Sequence, residues 1–123
     1  MYHLKIITSF AAAHNLINYD GDCENLHGHN WKVEVTVCAW ELDESGLGID
    51  FKILKAQTKS LLATLDHKYL NELDPFVEKS PSSENIARYL FEQLEQVLNT
   101  DNVSVDCVNV WESDHACASY SRG

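Results

Sequence analysis

The sequence predicts an α+β fold in which two helices lie on one face of an antiparallel sheet. Apolar and polar residues alternate near both ends of the chain, whereas apolar residues recur at helical spacing between them. Strands and helices that are segregated in this way pack as two layers around one core. We expect the order strand, strand, helix, helix, strand, strand in a single domain over residues 1–123.

Two long strands are predicted before the helices. The first covers Tyr2 to Ala13, and the second, which has the clearest alternation, covers His27 to Leu42. In the second strand, apolar residues from Trp31 to Ala39 alternate with Lys32, Glu34 and Thr36 on the opposite face. A strand of this length indicates a strongly twisted or curved sheet.

Two helices are expected next, followed by two more strands, of which the last is short. Asp50 is a good N-cap for the first helix, and Ser80 can cap the second with Pro81 in its first helical position. The strands Val103–Glu112 and Ala116–Tyr120 then complete the sheet. The apolar faces of the two helices contain Phe51, Leu54, Leu61, Leu62, Leu65, Ile86, Leu90, Leu94 and Val97 or Leu98.

The charge balance argues against several classes of partner. Nine lysines and arginines against nineteen aspartates and glutamates give a formal net charge of −10, and no basic cluster is present. A nucleic-acid surface or an anionic membrane surface would require such a cluster, so neither partner is expected. The sequence also contains no apolar run of about 20 residues and no signal-peptide pattern at its N-terminus. We therefore expect a soluble cytoplasmic protein.

The four cysteines occur without a CxxC pair and without a signal for export. Cys38 and Cys107 lie inside predicted strands, where free thiols pack as small hydrophobic groups, and we assign Cys117 a structural role as well. Cys23 lies in a polar loop four residues before His27. It can be a fourth metal ligand, a nucleophile or base beside a metal, or an ordinary loop thiol.

Three histidines are candidates for a metal site. His27 and His29 are two apart on a strand, so their imidazoles project to the same face, which continues as the apolar Trp31. His14 ends the first strand and can join them if the two strands pair. Three imidazoles without a fourth protein ligand describe a catalytic zinc site with one open position. The alternative is that these histidines are surface residues or are satisfied by local hydrogen bonds.

Acidic residues near three element ends are further candidates. Asp66 can orient His67 for acid–base chemistry if the first helix unwinds at its end, although a cation at a helix C-terminus is an equally good interpretation. Glu84 is by default an acid that stabilises the start of the second helix. Glu112 follows an apolar strand and can accept paired hydrogen bonds from a heterocycle, or it can be a solvated acid at the strand end.

Five ordered motifs together resemble the 6-pyruvoyl-tetrahydropterin synthase / 6-carboxy-tetrahydropterin synthase family. The resemblance covers nearly the whole chain. The motifs are Phe10-Ala11-Ala12-Ala13-His14, Cys23-x-x-x-His27-Gly28-His29, Leu65-Asp66-His67-Lys68-Tyr69-Leu70-Asn71, Pro81-Ser82-Ser83-Glu84-Asn85 and Trp111-Glu112.

The resemblance implies a fold, an assembly and a metal. The fold is the tunnelling fold, with a four-stranded antiparallel sheet and two helices, and it assembles as trimers or dimers of trimers. The metal is zinc, and its implied ligands are His14, His27 and His29.

The resemblance also implies a reaction and its residues. Cys23 is the implied catalytic thiol, with Asp66 and His67 as proton-transfer partners. Glu112 would anchor the pterin ring, and the segment Ser82, Ser83 and Glu84 would line the same pocket.

The implied activity is a carbon–carbon and carbon–oxygen lyase reaction. It converts 7,8-dihydroneopterin triphosphate to 6-carboxy-5,6,7,8-tetrahydropterin, acetaldehyde and triphosphate, and it serves queuosine and deazapurine synthesis. The three-residue gap between Cys23 and His27 resembles the carboxy branch. The alternatives are 6-pyruvoyl-tetrahydropterin formation, a related side-chain lyase, or a non-catalytic oligomer that binds zinc and pterin.

Overall fold

The computed structural model describes residues 1–17 and 26–123, so Cys23 lies outside the described residues. Its elements follow the predicted order, with one additional strand and two short 3-10 helices. The strands are β1 (Tyr2–His14), β2 (His27–Ala39), β3 (Lys68–Tyr69), β4 (Val103–Ser113) and β5 (Ala116–Tyr120); the helices are α1 (Phe51–Leu62) and α2 (Ser83–Leu98); the 3-10 turns are Leu70–Glu72 and Asp74–Phe76.

The described strands form one five-stranded sheet in the order β3-β1-β2-β4-β5. The α+β class is confirmed, but the prediction of a four-stranded, wholly antiparallel sheet is wrong. The extra strand β3 has two residues, Lys68 and Tyr69, which pair in parallel with Ala12 and Ala13 at the edge of β1. A strand of two residues is too short to show alternation of apolar and polar side chains, so the sequence contains no pattern that predicts it. The pairing forms because the chain passes beside β1 after α1.

The register between β1 and β2 aligns the two ends that contain the histidines. Tyr2 pairs with Ala39 at one end, and His14 pairs with His27 at the other. His29 is opposite Ala12. Because side chains alternate between faces, His14 and His29 project to the face that carries the core.

A bulge in β4 resets the alternation of that strand. Thr36 pairs with Cys107 but Val37 pairs with Val105, so Asp106 is an extra residue without a partner in β2. Before the bulge the buried residues are Val103 and Val105, and after it they are Val108 and Val110. The shift brings Glu112 into phase with the buried face at the end of β4 that lies near the histidines.

Both helices pack on the same face of the sheet and share one hydrophobic core with it. Trp31 and the valines of β2 are fully buried at its centre. The helices contribute Leu54, Leu62, Ile86, Ala87, Leu90, Phe91, Leu94 and Leu98. None of the described helices combines the length and the apolar character required to cross a membrane.

The start of α1 agrees with the prediction, and the start of α2 differs from it. Asp50 caps α1 by accepting a hydrogen bond from the Lys52 N–H at 2.8 Å. The cap of α2 is Ser82, which accepts from the Asn85 N–H at 3.1 Å, and not Ser80. Ser80 Oγ instead accepts from the Ile17 N–H, so a contact with a distant segment decides between two serines that are equivalent locally.

Truncation of a core side chain in α1 tests the packing. Leu54 has 0% exposure, and Leu54→Ala is expected to lower the free energy of unfolding by about 2–5 kcal/mol because it leaves a cavity. The measurement is urea unfolding at one fixed protein concentration. Lys55→Ala, a change at the exposed neighbour on the same helix, is the control and is expected to stay within about 0.5 kcal/mol. Equal effects of the two changes would contradict this packing.

The carboxylate of Glu34, on the sheet face opposite the helices, makes the stability of the fold depend on pH. Glu34 accepts hydrogen bonds from Trp111 Nε1 at 2.6 Å and from Asn109 Nδ2 at 3.2 Å, and it lies 3.9 Å from Lys5 Nζ. The Trp111 hydrogen bond is the main cause that lowers the pKa of Glu34 below its ordinary value of 4.5. The charged form therefore stabilises the fold above pH 4.5, and this contribution is lost as the pH falls below it.

Glu34→Gln is expected to be less stable than the wild type by about 1 kcal/mol at neutral pH. The difference should vanish in acid, where the wild-type carboxyl group is protonated. Thermal unfolding from pH 7 to pH 3 measures it. If the two proteins differed in stability by the same amount at every pH, the loss would come from the shape of the Glu34 side chain and not from its charge.

Candidate active site

Two histidines and a glutamate converge at one end of the sheet. Glu112 Oε1 lies 3.4 Å from His14 Nε2 and 3.0 Å from His29 Nε2. One donor atom from each residue lies within 4.8 Å of the others. We call these three residues the imidazole cluster. Each comes from a different strand, so three strand ends must be in register to form it.

Trp31 forms the floor of the imidazole cluster. It is completely buried, and its ring centroid lies 4.8 Å from that of His14 and 5.2 Å from that of His29, both edge-on. Trp31 Nε1 donates to the Ala12 carbonyl at 3.3 Å, which fixes the indole. The alternation that places Trp31 in the core therefore also positions the two imidazoles beside it.

A backbone carbonyl determines how His14 is oriented. His14 Nδ1 lies 2.8 Å from the Pro81 carbonyl oxygen, and the side chain is 2% exposed. A carbonyl can only accept, so Nδ1 carries the hydrogen, and in the neutral ring Nε2 presents its lone pair to the cluster. Metal-binding histidines are usually held in this way, with the other ring nitrogen donating to a carbonyl or carboxylate.

The donor set fits zinc. Two imidazole nitrogens and one carboxylate oxygen are ligand types that zinc accepts, and three protein ligands leave a fourth position for water or substrate. The predicted ligands were His14, His27 and His29. The structure brings His14 and His29 together and pairs the backbone of His27 with that of His14. The side chain of His27 lies outside the described part of the chain.

Asp66 and His67 form a pair just beyond α1. The helix ends at Leu62, and His67 has a φ of 57°, in the left-handed region. This unwinding allows His67 Nδ1 to lie 2.9 Å from Asp66 Oδ2. The other carboxylate oxygen accepts from the Ala11 N–H at 2.8 Å. The bond from Ala11, and next the bond from His67, lower the pKa of Asp66 below its ordinary value of 3.8.

One open cleft connects this pair to the imidazole cluster. The cleft has a volume of about 530 Å³ and is lined by both His67 and His29. Its other lining residues are Ala11, Ala12, Ala13, Gly28, Asn30, Lys68 and Tyr69. Because Asp66 holds the Nδ1–H of His67, the other ring nitrogen is available to exchange a proton, and 80% of the His67 side chain is exposed.

A second cleft contains Glu112 and the start of α2. Its volume is about 460 Å³, and it is lined by Ser83, Glu84, Glu112 and residues 116–119. The structure thus brings together three of the four residues predicted to bind substrate. Ser82 does not line this cleft, because its hydroxyl caps α2.

Comparison with known proteins identifies the family. The model of the family described as 6-pyruvoyl tetrahydropterin synthase matches residues 3–123. The chain belongs to this family. The resemblance stated from the five sequence motifs is therefore confirmed.

Individual relatives agree with this assignment. The 6-carboxy-5,6,7,8-tetrahydropterin synthase of Synechocystis is 42% identical over 93 residues, which cover 72% of this chain and 70% of the relative. The protein of the same name from Haemophilus influenzae is 28% identical over 145 aligned positions, covering 99% of this chain and 100% of the relative. The structure of Caenorhabditis elegans 6-pyruvoyl tetrahydropterin synthase superposes with a TM-score of 0.88 at 28% identity, covering 99% of this chain and 96% of that one.

Two features of the site were absent from the sequence-based prediction. The first is the closeness of Glu112 to the imidazoles, and the second is the hydrogen bond between His14 and the Pro81 carbonyl. The spacing of Glu112 from Val108 and Val110 was a usable signal, because it places all three residues on one face of the strand. No sequence pattern indicates the backbone carbonyl.

Proposed function

We propose that this tetrahydropterin synthase family member is a zinc-dependent cytoplasmic lyase. It converts 7,8-dihydroneopterin triphosphate into 6-carboxy-5,6,7,8-tetrahydropterin, acetaldehyde and triphosphate, in queuosine biosynthesis. The observation that carries the proposal is the buried His14, whose Nδ1 bonds to Pro81 and whose Nε2 faces His29 and Glu112. Metal-binding histidines are usually held in this way, through one ring nitrogen with the other facing the metal, and this supports zinc binding at His14.

Zinc would be held by His14, His29 and, on the sequence pattern, His27. When bound, it supplies Lewis-acid chemistry and lowers the pKa of hydroxyl groups on the pterin side chain. With three imidazoles as the zinc ligands, Glu112 is left to bind substrate, and it lines the cleft with Ser83 and Glu84. There its carboxylate can accept paired N–H hydrogen bonds from the pterin ring, which gives the ring one orientation.

Asp66, His67 and Cys23 would move the protons. Asp66 stays ionised because its pKa is lowered, and it holds the Nδ1–H of His67, so the exposed Nε2 accepts or returns a proton. The role of Cys23 as the second proton-transfer group rests on the sequence motif. Lys68 lines the cleft beside His67 and supplies a positive charge for the triphosphate in a chain with net charge −10.

The exposure of His67 supports an assembly of several chains. An acid–base residue that is 80% exposed works in water unless another surface covers it. We propose a homo-oligomer, a trimer or a dimer of trimers, in which His67 serves a site shared with a neighbouring chain. Exposed apolar side chains, including Trp40 and Phe51, provide further surface for such contacts.

The carboxy product requires one more bond cleavage than the pyruvoyl product. Proton shifts and loss of triphosphate leave a two-carbonyl side chain, and addition of water across its carbonyl–carbonyl bond gives the carboxylate and acetaldehyde. The 42% identical relative from Synechocystis is named for the carboxy reaction, and this favours the same branch here. The structural neighbour from Caenorhabditis elegans is named for the pyruvoyl reaction, which is the second candidate.

Product identification tests the proposal. Zinc-loaded protein is incubated with dihydroneopterin triphosphate, and the products are identified by mass spectrometry. We expect 6-carboxytetrahydropterin and acetaldehyde in equal amounts. A pyruvoyl product without acetaldehyde would assign the chain to the other branch. Binding of the pterin without any turnover would overturn the enzymatic proposal and leave a non-catalytic zinc- and pterin-binding oligomer.

A further inference from the structure

A second group of side chains of the types that bind metals lies far from the imidazole cluster. It consists of His3 on β1, Cys38 on β2 and Asp106 on β4, and one donor atom from each lies within 4.8 Å of the others. We propose that these three residues form a second metal site that binds zinc, or a divalent cation of similar softness, and links three strands.

The pairing of the strands places the three side chains together. His3 is directly opposite Cys38 in the register of β1 and β2. Both residues alternate with core residues such as Val37, so they project from the sheet face that is opposite the helices. Directly opposite residues have neighbouring Cβ atoms, so the backbone already brings the imidazole and the thiol together.

Asp106 reaches the same place because of the bulge in β4. It is the extra residue between Val105 and Cys107, which pair with adjacent residues of β2. A bulge of this kind changes the direction of a side chain and is common next to functional sites. Here it adds an oxygen donor to the nitrogen and sulfur donors of the first two strands.

The chemistry of the donors indicates the metal. Thiolate and imidazole ligands favour zinc over magnesium or calcium, and zinc also accepts a carboxylate oxygen. Burial of Cys38, and next the charge of Asp106, raise the pKa of this thiol. A cation between the thiolate and the carboxylate turns that repulsion into attraction, so binding would release the thiol proton.

The proposed site is independent of the imidazole cluster. His3 and His14 lie near opposite ends of β1, and at about 3.3 Å per residue they are about 36 Å apart along the strand. The proposed reaction assigns no task to His3, Cys38 or Asp106. The function of the second site would be to tie β1, β2 and β4 together at the far end of the sheet.

Zinc content measures both sites at once. Protein without an affinity tag is equilibrated with buffered zinc, and the metal is counted by mass spectrometry. We expect about two zinc ions per chain in the wild type and about one in His3→Ala, in Asp106→Asn and in His14→Ala. The double variant His3→Ala, His14→Ala should retain none. Cys117→Ser, a change to an exposed thiol outside the cluster, is the control and should keep both ions.

Cobalt substitution identifies the sulfur ligand. In a Cys23→Ser background, cobalt-loaded protein should show a thiolate-to-metal charge-transfer band, and Cys38→Ser should abolish it while the circular dichroism is unchanged. His3→Ala should keep wild-type turnover. The proposal is wrong if the wild type holds a single zinc ion that His14→Ala alone removes, or if the band persists without Cys38. Either result would leave the proposed pterin chemistry untouched.

Discussion

His14→Ala is expected to remove zinc from the imidazole cluster and to reduce kcat/KM by about 10³-fold or more. His14 is buried, its ring is fixed by the Pro81 carbonyl, and its Nε2 faces His29 and Glu112. Loss of a Lewis acid removes several kcal/mol of transition-state stabilisation, which corresponds to a rate loss of this size. Metal analysis and steady-state kinetics measure the two effects on the same sample.

The matched control for His14 is His115, an exposed histidine in the turn between β4 and β5. His115→Ala should keep the zinc content and the rate of the wild type. Turnover at the wild-type rate in His14→Ala would show that the cluster is not part of the active site. Normal folding of the variant should be checked by circular dichroism, since the change also leaves the Pro81 carbonyl without its donor.

Asp66→Asn is expected to lower kcat by about 10²–10⁴-fold while zinc content stays unchanged. The carboxylate accepts two hydrogen bonds, from the Ala11 N–H and from His67 Nδ1. An amide has one accepting oxygen, so one of these two donors loses its partner. If the amide oxygen keeps the bond to Ala11, the NH₂ group faces His67 Nδ1. This favours the His67 tautomer with its hydrogen on Nε2, which cannot accept a proton at that nitrogen.

A pH profile separates this effect from simple loss of structure. In the wild type, kcat is measured across the pH range in which Asp66 is ionised, since the bonds from Ala11 and His67 lower the pKa of that carboxylate. Asp66→Asn should change that profile as well as the rate. Asp101→Asn, a change to an exposed acid in the turn after α2, is the control and should alter neither. A wild-type kcat in Asp66→Asn would exclude the pair from proton transfer.

Much of the fold could be predicted because it is encoded locally. Alternation in β1, β2 and β4 and the apolar spacing of the two helices set the elements, and the Asp50 cap set the start of α1. The strand β3 and the cap Ser82 were not predictable, because they depend on contacts with distant parts of β1 and the segment after it. The bulge at Asp106 is visible in the spacing of buried valines once the strand is known.

For the candidate site as well, some features could be predicted from local sequence and others depend on contacts between distant segments. Strand phase predicted that His27 and His29 project to one face and that His14 joins them if the two strands pair. The strands do pair, and the ring centroids of His14 and His29 lie 5.2 Å apart. The pairing of Asp66 with His67 was predicted on the condition that the helix unwinds, and it does. The approach of Glu112 to the imidazoles required three strands to be in register, which no local pattern in the sequence specifies.

The most direct test of the central claim is a zinc titration of metal-free protein with product as the readout. The chain is stripped with a chelator, supplied with dihydroneopterin triphosphate, and reloaded with zinc in steps while 6-carboxytetrahydropterin is measured by mass spectrometry. We expect no product before zinc is added and a rate that rises with occupancy of the imidazole cluster, but no rise in His14→Ala. Equal turnover by the metal-free protein, or no product at full zinc loading, would contradict the account.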